Sequence, residues 1–250
     1  MPLAGHHSFM TSIVAWTFLL ALLSCDSDTT EGTEPPPFAA TAAIMPLGDS
    51  ITESSSGLPT YRYYLWKLAM ARSYHIDFVG SQRGMSGGLP LNGDFDLDHE
   101  GHSGWRADEI LSRMSTWARD ASPDIVLLHV GHNDLCQGQD VRSTVNDVAG
   151  IIDALRTVKA HVTILVAQLI ASADPCHAQI PAFNAELPAL AAAKSTPLSP
   201  VILVDQYTGF VPATMTFDGV HPNATGQSQM ADRWFATLAP LLDKFFAAAH

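Results

Sequence analysis

Ala42-Ala43-Ile44-Met45-Pro46-Leu47 is a short apolar run, and Gly48-Asp49-Ser50-Ile51-Thr52 follows it directly. Six apolar residues closed by a glycine and polar turn formers read as a buried strand running into a turn. Similar runs recur at Ile76–Val79, Ile125–Val130, Val162–Ala167 and Val201–Val204. Longer amphipathic stretches separate most of them: Tyr61–Arg72, Ala107–Arg119, Val141–Ala160, Ile180–Ala193 and Ala224–Phe246. Within the third of these, Val148, Ile151, Ile152, Leu155 and Val158 keep the spacing of one helix face. Strands alternating with helices predict an α/β fold with a parallel sheet buried on both faces. Residues 42–250 read as a single domain, and Ser81 to Gly104 as its longest irregular stretch. In such sheets ligands sit beyond the carboxyl ends of the strands, so the residues after each apolar run are where function is sought.

The chain upstream has a different character. Phe9 to Leu23 is an uncharged, mainly apolar run of about fifteen residues, short for a membrane span of roughly 20 but suited to a signal peptide. It ends at Leu22-Leu23-Ser24-Cys25, which resembles a bacterial lipobox, and a polar stretch with Pro35-Pro36-Pro37 follows. Residues 1–25 are therefore expected to be a signal peptide with a lipobox-like end, and 26–41 a flexible linker. Cys25 would carry the lipid, acyl chains providing the only membrane attachment in an exported, cell-envelope protein. Met1 to Ser12 contains no Lys or Arg, so a plain secretory signal is the alternative. Export permits disulfides. With Cys25 lipidated, Cys136 and Cys176 remain as a possible pair, each following an apolar run; sequence cannot supply the geometry a bridge requires.

Composition narrows the function. The 250 residues are 47% hydrophobic and 15% charged, enough apolar material for a substantial core. Asp and Glu outnumber Lys and Arg by 25 to 13, a formal charge of -12. That balance argues against nucleic acid, whose binding is built on Lys and Arg, and suits a neutral substrate. No HExxH, GxGxxG or GxxxxGK[ST] motif occurs, which removes the usual warrant for zincin, dinucleotide-binding and P-loop readings.

Three fragments at strand ends carry chemistry. Ser50 follows the first apolar run, on a turn toward the first helix. Gly131-His132-Asn133-Asp134 follows the third, where a buried amide can donate to an oxyanion or cap the next element. Asp218-Gly219-Val220-His221-Pro222 precedes the last helix. Its i, i+3 spacing lets the Asp218 carboxylate reach the Nδ1–H of His221, leaving Nε2 free as a base.

Taken in order over some 170 residues, these fragments resemble the SGNH, or GDSL-type, hydrolase superfamily. Asp98-His99-Glu100-Gly101-His102-Ser103-Gly104-Trp105 supplies the remaining block. With Tyr61-Arg62, Asp77-Phe78-Val79-Gly80-Ser81 and Pro123-Asp124-Ile125-Val126-Leu127-Leu128, the set is most similar to carbohydrate esterase family 3, which contains acetylxylan esterases. The resemblance implies a three-layer α/β/α sandwich, flavodoxin-like, with a central five-stranded parallel sheet. It implies Ser50 as nucleophile, His221 as general base and Asp218 as its orienting acid. The N–H groups of Ser50 and Gly104 and the Asn133 amide would form the oxyanion hole, Gly104 being preferred to Gly101 because it opens the segment leading into a helix. The expected activity is ester hydrolysis through an acyl-enzyme, acting on an acetylated neutral polysaccharide or a small ester. That chemistry calls for no cofactor and no catalytic metal. The alternatives are a broad carboxylesterase, lipase or thioesterase, and a non-catalytic carbohydrate-binding protein.

Other residues invite weaker readings. Asp94, Asp96, Asp98 and Glu100 alternate through the irregular stretch and are expected to be solvated loop acids rather than a calcium site. His99, Glu100 and His102 lack the spacing of a zinc motif. Trp105 suits either a sugar platform or the core, and His132 either the pocket or packing. Asn223-Ala224-Thr225 reads as the cap of the last helix more than as a glycosylation sequon.

Overall fold

The computed structural model describes residues 40–248. The signal-like segment 1–25 with Cys25, and the linker up to residue 39, lie outside the described residues. In chain order the elements are β1 (Ala42–Gly48), α1 (Ser50–Glu53), α2 (Tyr61–Ala71), β2 (Ile76–Phe78), β3 (Gln82–Arg83), β4 (Asp98–Gly101), α3 (Ala107–Ala121) and β5 (Ile125–His129). After them come α4 (His132–Cys136), α5 (Val141–Val158), β6 (Thr163–Ala167), a 3-10 turn (Pro175–His177), α6 (Ile180–Lys194), β7 (Val201–Val204), α7 (Pro212–Met215) and α8 (Ala224–Ala247).

All five apolar runs are strands, and successive residues along them serve opposite faces of the sheet. Met45 and Leu47 of β1, with Val126 and Leu128 of β5, pack under α3, α5 and α6. Ala42 and Ile44, with Ile125 and Leu127, pack under α2 and α8. The result is a three-layer α/β/α sandwich with two cores, one on each side of the sheet. Asn223 caps α8, its Oδ1 accepting from the N–H groups of Thr225 and Gly226 at 3.0 and 3.2 Å.

The sheet differs from the expected five strands: it has seven, in the order β3-β4-β1-β5-β6-β7, with β2 also on β1. β2 covers only Ala42–Ile44 of that edge, and β4 covers Leu47 and Gly48 further along it. All pairings are parallel except β3 with β4. The two added strands come from Ser81–Gly104. β2 is three residues long and leaves the end of the β1 edge with unpaired backbone groups, which a buried sheet must satisfy. The segment that fills the gap is Asp-His-Glu-Gly, with no apolar alternation to announce a strand.

Arg62 organises that insertion from beneath. Its guanidinium is fully buried, and its donors go to backbone carbonyls: Nε to Thr52, one terminal nitrogen to Leu97, and the other to Glu53 and Gly84, at 2.8–3.1 Å. Burial lowers its pKa to about 10, which leaves it charged at neutral pH. One side chain thereby ties α1 to both ends of the long insertion. Arg62→Met keeps much of the apolar stem but strips four buried carbonyls of a donor. It is expected to cost on the order of 3 kcal/mol or more in urea unfolding; a loss below about 1 kcal/mol would show that the insertion is held by other means.

Candidate active site

The carboxyl end of β1 brings its neighbours unusually close. A Cβ on Gly48 would lie 2.2 Å from the His129 carbonyl oxygen and 2.6 Å from Thr52 Oγ1. Glycine therefore lets β5 and α1 close on the strand end, and Ser50 emerges there as the first residue of α1. Asp49 caps this short helix, its Oδ1 accepting from the Ile51 N–H at 3.0 Å.

His221 reaches Ser50 from 171 residues away along the chain, its Nε2 standing 3.0 Å from Ser50 Oγ. Its turn is closed by a Thr216–Pro222 bridge and by the Phe217 N–H donating to the His221 carbonyl at 3.1 Å. Gly219 takes φ 90°, a left-handed conformation suited to glycine. Nδ1 of His221 lies 2.6 Å from Asp218 Oδ2, while Oδ1 accepts from the N–H groups of Val220 and His221 at 2.9 and 2.7 Å. A carboxylate acceptor places the imidazole proton on Nδ1, so the Nε2 lone pair faces the serine hydroxyl. Partial burial pulls the Asp218 pKa upward, but the His221 N–H, the His221 side chain and the Val220 N–H outweigh it and hold the carboxyl below its ordinary value. The acid stays ionised, and its 40% exposure works in the same direction.

A second wall comes from the loop after β4. The His102 N–H donates to the Gly48 carbonyl at 2.9 Å, and the Ser103 N–H to Glu53 Oε2 at 2.7 Å, seating the loop beside α1. Gly104 follows at φ 82° with open space where a Cβ would stand, and its carbonyl accepts from Gln137 Nε2 at 3.1 Å. Gly101 is differently placed: its N–H donates to His99 Nδ1, and a Cβ there would meet the Glu53 nitrogen at 2.5 Å. Asn133 rises from α4 and donates from Nδ2 to the Trp105 carbonyl at 2.9 Å, which orients the amide and leaves its second N–H. A small open cleft, lined by Ser50, Ile51, Ser54, Leu58, Phe217 and His221, adjoins the serine. A serine hydroxyl held against an imidazole, which is held in turn by a carboxylate, can be deprotonated as it attacks a carbonyl.

Residues 47–229 match the GDSL-like lipase/acylhydrolase family. The chain belongs to that family. It is 27% identical over 219 residues to a multidomain esterase of Ruminococcus flavefaciens, covering 78% of this chain and 28% of that protein. It is also 30% identical over 132 residues to esterase TesA of Pseudomonas aeruginosa, covering 53% and 64% respectively. The chain thus spans less than two thirds of these relatives' own length. Among solved structures, a carbohydrate esterase family 3 protein from Talaromyces cellulolyticus superposes with a TM-score of 0.74 at 30% identity, covering 81% of this chain and 99% of that one. A family 3 carbohydrate esterase of Clostridium thermocellum gives 0.71 at 33%, covering 82% and 99%. A serine-to-alanine mutant of an acetyl esterase with acetate ion gives 0.75 at 30%, again covering 82% and 99%. The superfamily and the carbohydrate esterase family 3 likeness expected from the motifs are both found.

Several readings of single residues change. The four acids of the insertion differ in exposure: Asp94 is exposed as expected, Asp96 and Asp98 are partly covered, and Glu100 is fully buried and accepts from the Ser81 N–H and hydroxyl, with His102 Nε2 2.6 Å away. Asp96 accepts from the Phe78 N–H, Asp98 pairs with Arg83, and Asp94 with Lys67. The carboxylates are held by protein donors because β3 and β4 turn this stretch into sheet edge. Ser81, Glu100 and His102 also bring a serine, a carboxylate and a histidine together, but the carboxylate stands between the other two, so no imidazole meets that hydroxyl. Trp105 packs against His102 and Trp117, half-buried. Among the described residues, the metal-like grouping is Cys136, Cys176 and His177, whose two sulfurs are already joined in a disulfide.

A buried polar layer under Ser50 was not foreseen. Asp49 Oδ2 and His132 Nδ1 are 3.9 Å apart and otherwise unpartnered, and His132 Nε2 lies 3.2 Å from the Ile170 carbonyl. Burial raises the Asp49 pKa to about 7, holds His132 well below the ordinary histidine range, and lowers His129 to about 4. These groups act on stability with opposite signs. The two histidines bind protons more readily when unfolded, so their contribution is lost as pH falls below about 6.5. Asp49 holds its proton when folded, so its contribution is lost as pH rises from about 4 through 7. Asp49→Asn is therefore expected to raise the urea midpoint, relative to wild type, more at pH 8.5 than at pH 4.5. An equal change at both values would mean that burial does not raise the Asp49 pKa in the folded protein.

Proposed function

We propose that the protein is an exported serine esterase that removes acetyl groups from a neutral polysaccharide such as acetylated xylan. The observation that carries this is the row Ser50–His221–Asp218, whose serine and imidazole line a small cleft with Ile51, Ser54, Leu58 and Phe217. A short acyl group suits that space.

Neutral His221 takes the Ser50 proton through Nε2 as Oγ attacks the ester carbonyl. Asp218, ionised and bonded to Nδ1, keeps the tautomer and stabilises the imidazolium that forms. The Ser50 N–H, the Gly104 N–H and the second Asn133 N–H receive the oxyanion. His221 then protonates the departing sugar oxygen, and water repeats the cycle on the acetyl-enzyme. The likeness to two carbohydrate esterase family 3 structures, and to an acetyl esterase holding acetate ion, supports the acetyl group. The charge of -12 favours an uncharged polymer over nucleic acid. Phe217, 53% exposed and stacked on His221 at 5.8 Å, offers an apolar face to a sugar ring at the cavity rim. Segment 1–25 supports export, and Cys25 a lipid anchor in a bacterial cell envelope, otherwise secretion.

Acetate release from acetylated xylan by wild type and not by Ser50→Ala is the expected result. Ser50-dependent cleavage of p-nitrophenyl acetate without release from xylan would favour a small-ester carboxylesterase, and Ser50-dependent preference for long acyl chains a lipase or thioesterase. Inactivity on every ester would favour a carbohydrate-binding protein. Asn133→Ala should lower kcat by about 10²–10³, the general value of one oxyanion donor; a loss under threefold would remove Asn133 from that role. Phe217→Ala should lose about tenfold more kcat/KM on acetylated xylan than on p-nitrophenyl acetate, roughly 1.4 kcal/mol. Equal losses on the two substrates would place the sugar elsewhere.

A further inference from the structure

Two of the groups assigned above, Asn133 and His221, are connected through a covalent bond and the hydrogen bonds that continue from it. Asn133 is carried by α4, five residues long and far below the roughly 12 needed for a helix to hold itself together. Cys136 ends that helix and is bonded to Cys176, 40 residues on, in the 3-10 turn after β6. The segment leading into that turn grips the base turn. The Ser172 hydroxyl donates to the Gly219 carbonyl at 3.2 Å, and the Ala173 N–H donates to the same oxygen at 2.8 Å. With its proton spent there, the Ser172 oxygen accepts from the Asp174 N–H at 3.1 Å and from His177 Nδ1 at 2.9 Å. The Asp174 carboxylate in turn accepts from the Cys176 N–H at 3.0 Å. His177 also packs edge-on against His132, the residue before Asn133, with ring centroids 5.4 Å apart. A continuous path of bonds therefore runs from the Asn133 helix through the disulfide and Ser172 to Gly219, between Asp218 and His221.

We propose that the Cys136–Cys176 disulfide is a positioning brace for catalysis: it holds the Asn133 amide in register with the Asp218–His221 turn, so that oxyanion donor and general base address the same carbonyl. This rests on the roles proposed above for Ser50, Asn133 and His221. α4 has other anchors, among them Asp134, whose carboxylate accepts from the Ala107 N–H at 3.0 and 3.1 Å. That contact ties the helix to the start of α3, and Asn133 Nδ2 donates to the Trp105 carbonyl just before it. The disulfide is the covalent tie toward the base turn, alongside the His132 contacts with the Ile170 carbonyl and His177; without it the fold is expected to persist while the amide loses its register.

The experiment is a double-mutant cycle on the full chain with p-nitrophenyl acetate. Cys136→Ala/Cys176→Ala is expected to lower kcat between tenfold and a hundredfold, the scale of an ångström-sized misplacement, with KM changed less than twofold. In an Asn133→Ala background, removing both cysteines should change kcat less than twofold, because no amide remains to be placed. Equal fold losses in the two backgrounds, or no loss in either, would overturn the proposal. Should the cysteine variant fail to fold, wild type is treated with a phosphine. Two electrons and two protons convert the S–S bond to two thiols, water supplying the protons and the oxygen of the phosphine oxide. A gain of two titratable thiols with unchanged near-ultraviolet circular dichroism marks the reduced, folded protein, and the same comparison with Asn133→Ala follows. Ser50→Ala, assayed alongside, separates the two levels: activity that survives it defeats the esterase roles themselves, whereas Ser50-dependent activity indifferent to the cross-link defeats only the brace.

Discussion

Arg62 is the constraint on which the site depends. A buried guanidinium is costly unless its donors are used, and here they are used on backbone carbonyls rather than on a carboxylate. Those carbonyls belong to α1, which carries Ser50, and to the two ends of the insertion that returns as β4. The loop after β4 carries Gly104, and Glu53 clamps that loop by accepting from the Ser103 N–H. The helix that carries Ser50 and the insertion that leads to Gly104 are thereby tied together by one charged side chain.

His221 arrives by a different route. His221 and Asp218 sit on an exposed turn, 36% and 40% accessible, held by local bonds and by Gly219 rather than by deep burial. Ionisation of Asp218 is secured by three hydrogen-bonded partners instead of a distant cation. An acid so placed keeps its charge near water because the hydrogen bonds favour the charged form. Under the serine the opposite holds. Asp49, His129 and His132 are buried with unpartnered polar atoms, so their protonation follows burial first and neighbours second. The protein places its titrating groups in two dielectric regimes on either side of one residue, Ser50.

The insertion does two things with one stretch of chain. As β3 and β4 it completes the edge that the short β2 leaves open. As a loop it passes Leu89 across Ser56 and Gly57, whose hydroxyl and N–H donate to the Leu89 carbonyl. Leu89 and Leu91 remain exposed there, on the side of the cavity where Ser54, Ser55 and Leu58 lie. The same segment thus meets both the sheet edge and the rim of the cavity.

The order of elements, the parallel core and the candidate residues Ser50, Asn133, Asp218 and His221 are all legible in the chain, because they depend on local patterns. Apolar runs of four to six residues have no stable place except in a buried sheet. Asp218 and His221 are three apart, so their contact is a property of one turn. Tertiary structure decided the rest. The 171 residues between Ser50 and His221 leave no local trace of a 3.0 Å contact. β4 was hidden because its residues are polar and satisfied by partners far along the chain, Ser81 for Glu100 and Arg83 for Asp98. Arg62 was visible as part of a motif but not as an organiser, since the carbonyls it serves carry no side-chain signature. The pairing of Cys136 with Cys176 likewise needed α4 and the 3-10 turn to be brought side by side. Sequence patterns specify what a residue must be buried in; distances between remote segments are set only when the whole sheet closes.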